Sequence, residues 1–219
     1  MKWSDMPRRP YYDNYERVDI KNDQKWFEVY KLPGDVYAIC EPQHFQEVNF
    51  FLIIGSERAL LLDTGMGICD AKAVIDELYS GKVIAVNSHF HFDHVGNNWK
   101  FQPVHAFDDP YVIAASKKER TSTDFGDQFG HSTLSRYCDT LARIYRELPD
   151  VKALYPSHNE LIVDPIKLKE ASESMNAIID GTAAQQNEMD SGHEYLEDGT
   201  VLAQYQFDGF SIIYDPKSN

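Results

Sequence analysis

The segment NSHFHFDHVGNN, residues 87–98, places three histidines and an aspartate within six positions of a chain that has only eight histidines. It continues KVIAVNS (82–88), a short apolar run that reads as a buried strand. The cluster therefore sits where a strand ends and delivers the chain into a turn. His89 and His91 are two apart and can point the same way, while Asp93 and His94 follow at the turn and can face the opposite side of one small cavity. Zinc takes neutral imidazoles and carboxylates at close range and has no geometric demand of its own. One short loop can thus supply two ligands to each of two adjacent ions. Phe90 and Phe92 interleave the ligands and are expected to face the core. Gly96 permits a sharp turn, and Asn97 and Asn98 suit a loop or helix start.

The rest of the chain reads as strands first and alternating helix and strand afterwards. WFEVYKLPGDVYAIC (26–40) is two strand-like runs broken by Pro33-Gly34-Asp35, and VNFFLIIGSERALLLDTG (48–65) is a hairpin around Gly55-Ser56-Glu57-Arg58. DAKAVIDELYS (70–80) has helical spacing with Asp70 placed to cap it. QPVHAFDDP (102–110) holds a short strand, and 117–130 is polar and loop-like. LSRYCDTLARIYREL (134–148) carries Leu134, Tyr137, Cys138, Leu141, Ile144, Tyr145 and Leu148 on one helical stripe. VKALYPSHN (151–159) reads as a strand ending at His158, and PIKLKEASESMNAIIDG (165–181) as a helix between Pro165 and Gly181. TVLAQYQFDGFSIIYD (200–215) reads as two strands. Residues 1–25 form an arm, expected to pack through Trp3, Tyr11, Tyr12 and Tyr15, and 26–219 one α/β domain with a sheet core.

Charge and cysteine usage narrow the function classes. The net charge of −14 opposes a nucleic-acid or anionic-membrane partner, which needs a basic face. Cys40, Cys69 and Cys138 are odd in number and form no C-x-x-C pair, so neither a disulfide framework nor a zinc ribbon is indicated. No signal peptide is visible in the first 19 residues, and no run approaches a membrane span of about 20 apolar residues. A cytoplasmic protein is expected. There is no G-x-S-x-G elbow and no P-loop. His44, His105 and His193 read as ordinary residues, and Cys69 as a small residue near a helix start.

SHFHFDHVGNN resembles the signature of the metallo-β-lactamase-fold hydrolases. LLLDTGMG (60–67) is similar to that family's strand and turn whose aspartate, here Asp63, supports the metal site from beneath. ALYPSHNE (153–160) is similar to its late strand and loop with a final metal-binding histidine, here His158, and FDGFSIIY resembles its ending. The resemblance covers about residues 27–107 and 134–215. It implies a four-layer αβ/βα sandwich with metals at one edge, and hydrolysis of a small ester, thioester, lactone or amide by a metal-bound hydroxide. It further implies His89 and His91 on a first metal, Asp93, His94 and His158 on a second, and Asp93 as the group that orients the nucleophilic water. The implied cofactor is one or two Zn2+ ions, with Fe or Mn as variants, and the implied partner is a small-molecule substrate.

The family's middle portion, a G-H-[TS]-P-G loop and a strand ending in G-D, has no full counterpart here. Gly130-His131-Ser132 lacks the proline, and no apolar strand precedes Asp127 in FGD. Either a compact variant uses His131 and Asp127 as substitute metal ligands, or an internal deletion joined DQFG to HSTLSRY and removed some central strands. The first account predicts a hydrolase. The second predicts a catalytically impaired metal-binding or interaction protein, with a sheet edge near 100–130 that favours a homo-oligomer.

Overall fold

In a computed structural model the described residues are 10–21, 25–44, 46–110, 112–113, 133–183, 203–214 and 216. They divide into two compact units, one formed by residues 1–120 and 155–162, the other by 121–154 and 163–219.

The first unit is built on a seven-stranded sheet in sequence order. β1 (Glu16–Val18), β2 (Glu28–Leu32), β3 (Val36–Glu41), β4 (Val48–Ile54) and β5 (Ala59–Leu62) run antiparallel in succession. β6 (Val83–Val86) is parallel to β5, and β7 (Val104–His105) parallel to β6. The β2–β3 turn is tight because Gly34 and Asp35 both take positive φ, the conformation that matches the twist of a hairpin. Parallel pairing of β5 with β6 requires a crossover, and α1 (Ala71–Leu78) supplies it. The Asp70 side chain accepts from the Ala73 amide and caps α1, and Ala71, Val74 and Ile75 turn into the core. They pack with Val29, Ile39, Phe50, Leu52 and Leu61. The opposite side of the sheet buries Tyr12, Tyr30, Ala38, Phe51 and Leu161.

Residues 10–21 hold more order than the composition of this stretch suggests. Tyr11, Tyr12 and Tyr15 pack on the sheet as expected, and Glu16–Val18 adds an edge strand to β2. Trp3 lies outside the described residues. The run 151–159 is not a strand. It makes two isolated bridges, Leu154 with Val163 and Val48 with His158. Pro156 lacks the amide that a continuous ladder would need.

The second unit contains α3 (Leu134–Glu147), α4 (Ile166–Ile179) and the hairpin β8 (Ala203–Phe207) with β9 (Phe210–Tyr214). Leu134, Cys138, Leu141, Met175, Ile178 and Ile212 form its core. The stripe read along 134–148 is buried only in part, since Tyr137, Tyr145 and Leu148 are exposed. The architecture is thus mixed α/β with one large sheet, and among the described residues no helix is long and apolar enough to cross a membrane.

Candidate metal centre

The site forms where β5 and β6 end side by side. β5 runs into Asp63-Thr64-Gly65-Met66-Gly67, and β6 into Asn87-Ser88-His89, followed by the one-turn helix α2 (Phe92–Val95). The two segments are laced together. The amide of Thr64 donates to the His94 carbonyl at 2.8 Å, and the Gly96 amide to the Gly65 carbonyl at 2.8 Å. Asn97 Nδ2 donates to the Thr64 carbonyl at 3.0 Å, and Asn98 Nδ2 to Asn87 Oδ1 at 2.7 Å. Asn97 and Asn98 are therefore ties between the loops. The backbones approach so closely that a Cβ on Gly96 would lie 2.2 Å from the Met66 carbonyl carbon.

Asp63 is the hinge of this arrangement. It is 1 % exposed and sits at φ 65°, a left-handed conformation that costs a non-glycine residue of order 1–3 kcal/mol. Three donors hold it there. Oδ1 accepts from the Ser88 amide at 2.7 Å, and Oδ2 accepts from Ser88 Oγ at 2.7 Å and from His94 Nδ1 at 3.0 Å. With its Nδ1 proton committed to Asp63, His94 turns Nε2 toward the cavity. The Ser88 hydroxyl, donating to Asp63, accepts in turn from His89 Nδ1 at 2.9 Å, which leaves His89 Nε2 as the free ring nitrogen.

Asp93, His94 and His158 converge. His94 Nε2 lies 3.2 Å from Asp93 Oδ2 and 3.3 Å from His158 Nε2, and the latter is 3.5 Å from Asp93 Oδ2. A tetrahedral ion with nitrogen and oxygen ligands at about 2.0–2.1 Å would separate those ligands by about 3.3–3.4 Å. The three donor atoms thus already have the spacing that such an ion imposes. Their chemistry, two imidazoles and a carboxylate, is also that of a divalent-metal site with one coordination position left open. His158 Nδ1 donates to the Gln46 carbonyl at 2.8 Å, which leaves its Nε2 for an ion, and its side chain is 37 % exposed, so the open position can be reached from solvent. Asp63, His89 and His94 form a second convergent group. There the Asp63 oxygens already accept three hydrogen bonds, so this group is better described as a buttress than as an ion site.

Electrostatics follow the packing. Burial alone would raise the Asp93 pKa, but the hydrogen bond from His94 and the nearby His158 hold it down at about 2. Burial would lower that of His94, and hydrogen bonds to Asp63 and Asp93 outweigh it, pushing it up to about 9. Burial, with His94 and His91 beside it, drives His89 down to about 3. Burial also lowers His158.

Of the residues singled out in the sequence, Asp93, His94 and His158 meet, and His89 adjoins them through His94 (ring centroids 4.1 Å apart). The His91 ring lies 4.3 Å from that of His89 but belongs to neither convergent group. Asp127, His131 and His193 lie outside the described residues. Phe90 and Phe92 are only half-buried; Asp93 and His94 are the buried members of the loop. His105 is the exposed last residue of β7. A cavity of about 320 Å³ lined by Lys72, Lys82, Lys100, Phe101 and His105 lies at the other end of β6, apart from the site.

Four further residues were not singled out by sequence. Gln46 Nε2 donates to Asp93 Oδ2 at 3.3 Å, and Ser88 links Asp63 to His89. Glu41 is fully buried, accepts from the Met66 amide at 3.1 Å, and is pushed up by burial to about 7. Asn49 is buried in the apolar strand β4. The only sequence signal is a polar residue inside an apolar run for Asn49 and at the end of one for Glu41.

The large sheet with helices, and the convergent His and Asp donors at the ends of β5 and β6, define a metal-dependent, hydrolase-like fold. Residues 45–168 match the family described as the Metallo-beta-lactamase superfamily, and the chain belongs to it. Solved structures agree on the fold. TMB-1 superposes with a TM-score of 0.56 at 14 % identity, covering 70 % of this chain and 98 % of that one. DIM-1 metallo-β-lactamase gives 0.56 at 12 %, covering 74 % and 100 %. A metallo-β-lactamase from Pontibacter korlensis gives 0.56 at 16 %, covering 68 % and 99 %. No curated protein matches the sequence.

Proposed function

We propose that the protein is a zinc-dependent hydrolase of a small ester, thioester, lactone or amide. The observation that carries this reading is the mutual spacing of Asp93 Oδ2, His94 Nε2 and His158 Nε2 at 3.2, 3.3 and 3.5 Å, beside an approach open to solvent. A divalent ion held there supplies Lewis acidity and a water whose pKa is lowered toward about 7. The protein's own groups do the rest. Asp63 fixes the ring of His94, and the Gln46 carbonyl fixes that of His158. Asp93 would hold the ion and orient its water, and Gln46 Nε2 steadies the Asp93 carboxylate. His89 and His91 serve a first metal position, with Asp127 the proposed further ligand.

The position of His91 outside both convergent groups favours a second reading, a metal-binding protein with little or no turnover. Elemental analysis of the purified protein together with hydrolysis of generic esters and thioesters separates the two. Two tightly held ions with zinc-dependent turnover establish the hydrolase; one ion without turnover supports the second reading; no ion in the wild type refutes both.

A further inference from the structure

His158 is the one member of the convergent triad that does not come from the strand-end loop; it arrives on residues 156–160, a segment with no ladder of its own. Something else has to hold it to a fraction of an ångström. β4 does so from below. The Asn49 amide donates to the Ser157 carbonyl at 2.7 Å, and Asn49 Nδ2 spans the carbonyls of Asn159 at 3.1 Å, Glu160 at 3.4 Å and Pro156 at 3.5 Å. The Asn159 amide returns a bond to the Glu47 carbonyl at 3.2 Å. Asn49 Oδ1 accepts from Tyr12 OH at 3.4 Å, and Tyr12, 3 % exposed, lies against Tyr30 with ring centroids 5.1 Å apart. A fully buried asparagine within an apolar strand is costly unless its amide is paired. Here the side chain is spent on the backbone around His158, and the hydroxyl of Tyr12, which also bonds Cys40, reaches its Oδ1 from the N-terminal segment.

We propose that Asn49 is the positioning residue for His158, and that the N-terminal segment, through Tyr12, latches the metal site. Docking of that segment and metal affinity are then coupled, because each favours the same arrangement of residues 156–160. The inference rests on the reading of Asp93, His94 and His158 as metal ligands, and it adds a control on that site from residues that touch no ion.

The test uses the full chain, stripped and reloaded with zinc(II) against a chromophoric chelator, and with cobalt(II) to read the ligand field. Tyr12→Phe keeps the ring and removes only the hydroxyl, and is expected to weaken zinc binding about 2- to 10-fold. Asn49→Ala is expected to weaken it about 10- to 100-fold, the range for partners behind a ligand, and to alter the cobalt spectrum. A residue that merely stabilised the fold would lower the melting temperature of the stripped protein and leave the affinity and spectrum of the folded fraction unchanged; that result in both variants overturns the inference. If Asn49→Ala does not fold, Tyr12→Phe decides alone, and wild-type affinity there overturns it. Failure of the underlying reading looks different: the wild type then binds no better than His158→Ala.

Discussion

At the scale of single residues, the site is a set of tautomers and charges fixed by hydrogen bonds. His158→Ala removes one of three converging donors and is expected to abolish tight binding of one ion, whereas His91→Ala leaves that ion in place. Metal content of the two purified variants tests this, and equal losses would contradict the assignment of the triad. Asp63→Asn keeps the volume but weakens acceptance from Ser88 and His94, and should lower metal affinity about 10- to 100-fold in chelator competition. The pH dependence has opposite signs for folding and for binding. His94 is held at about 9 in the fold against 6.5 for a free side chain, so the stripped fold retains a proton that the unfolded chain has released between pH 7 and 9. Its contribution to stability is complete below about pH 6.5 and lost as pH rises through 9. An ion needs the Nε2 lone pair, so binding expels that proton, and affinity should rise across the same window by up to about tenfold per pH unit. Denaturation of the stripped protein and chelator competition, each run from pH 7 to 9, must therefore slope in opposite directions; slopes of the same sign would show that His94 is not the protonated ligand.

At the scale of elements, the site depends on two turns pressed together. Gly96 meets the backbone of Met66, and Gly67, at φ 79°, meets the backbone of Gly96, so neither has room for a side chain. Gly96→Ala is expected to destabilise the protein by about 1–3 kcal/mol and to displace His94. Urea unfolding and metal titration of this variant should show both losses, and a variant with wild-type values in each would mean that the close approach is dispensable. The elements themselves were largely legible. Pro33-Gly34-Asp35, Asp70 and Gly181 punctuate the chain by local chemistry, and hairpins and helices appear where they mark them. Local pattern and packing part company in two places. Residues 151–159 have a strand's composition but bridge at single points, and Tyr137 and Tyr145 have a core residue's spacing but face solvent.

At the scale of the whole molecule, every described residue of the candidate centre belongs to the first compact unit. An ion that binds only the folded state stabilises that unit by about 2.7 kcal/mol at a free concentration of 100 times its dissociation constant. Calorimetry with and without zinc should show the shift in melting temperature, and an unshifted transition would count against binding to the folded state. β7 closes the strand order with two residues, so among the described residues its outer edge is unpaired. We propose self-association through this edge. Sedimentation should then show concentration-dependent dimers, and a monomer at every concentration would exclude it.

The sequence by itself determined the chemistry available at the end of β6, since four donor residues within six positions can hardly avoid one another. It also determined the family, and Asp63 as the support beneath. What only the tertiary structure decided is which donors meet. His91 is three positions from His94, yet it is His158, 64 positions away, that completes the triad. The reason is physical: a ligand's identity is local chemistry, while its position is set by the strand that carries it and by the backbone carbonyls that hold the opposite ring nitrogen. Asn49, Gln46 and Glu41 act only through those long-range hydrogen bonds, and no spacing along the chain announces them.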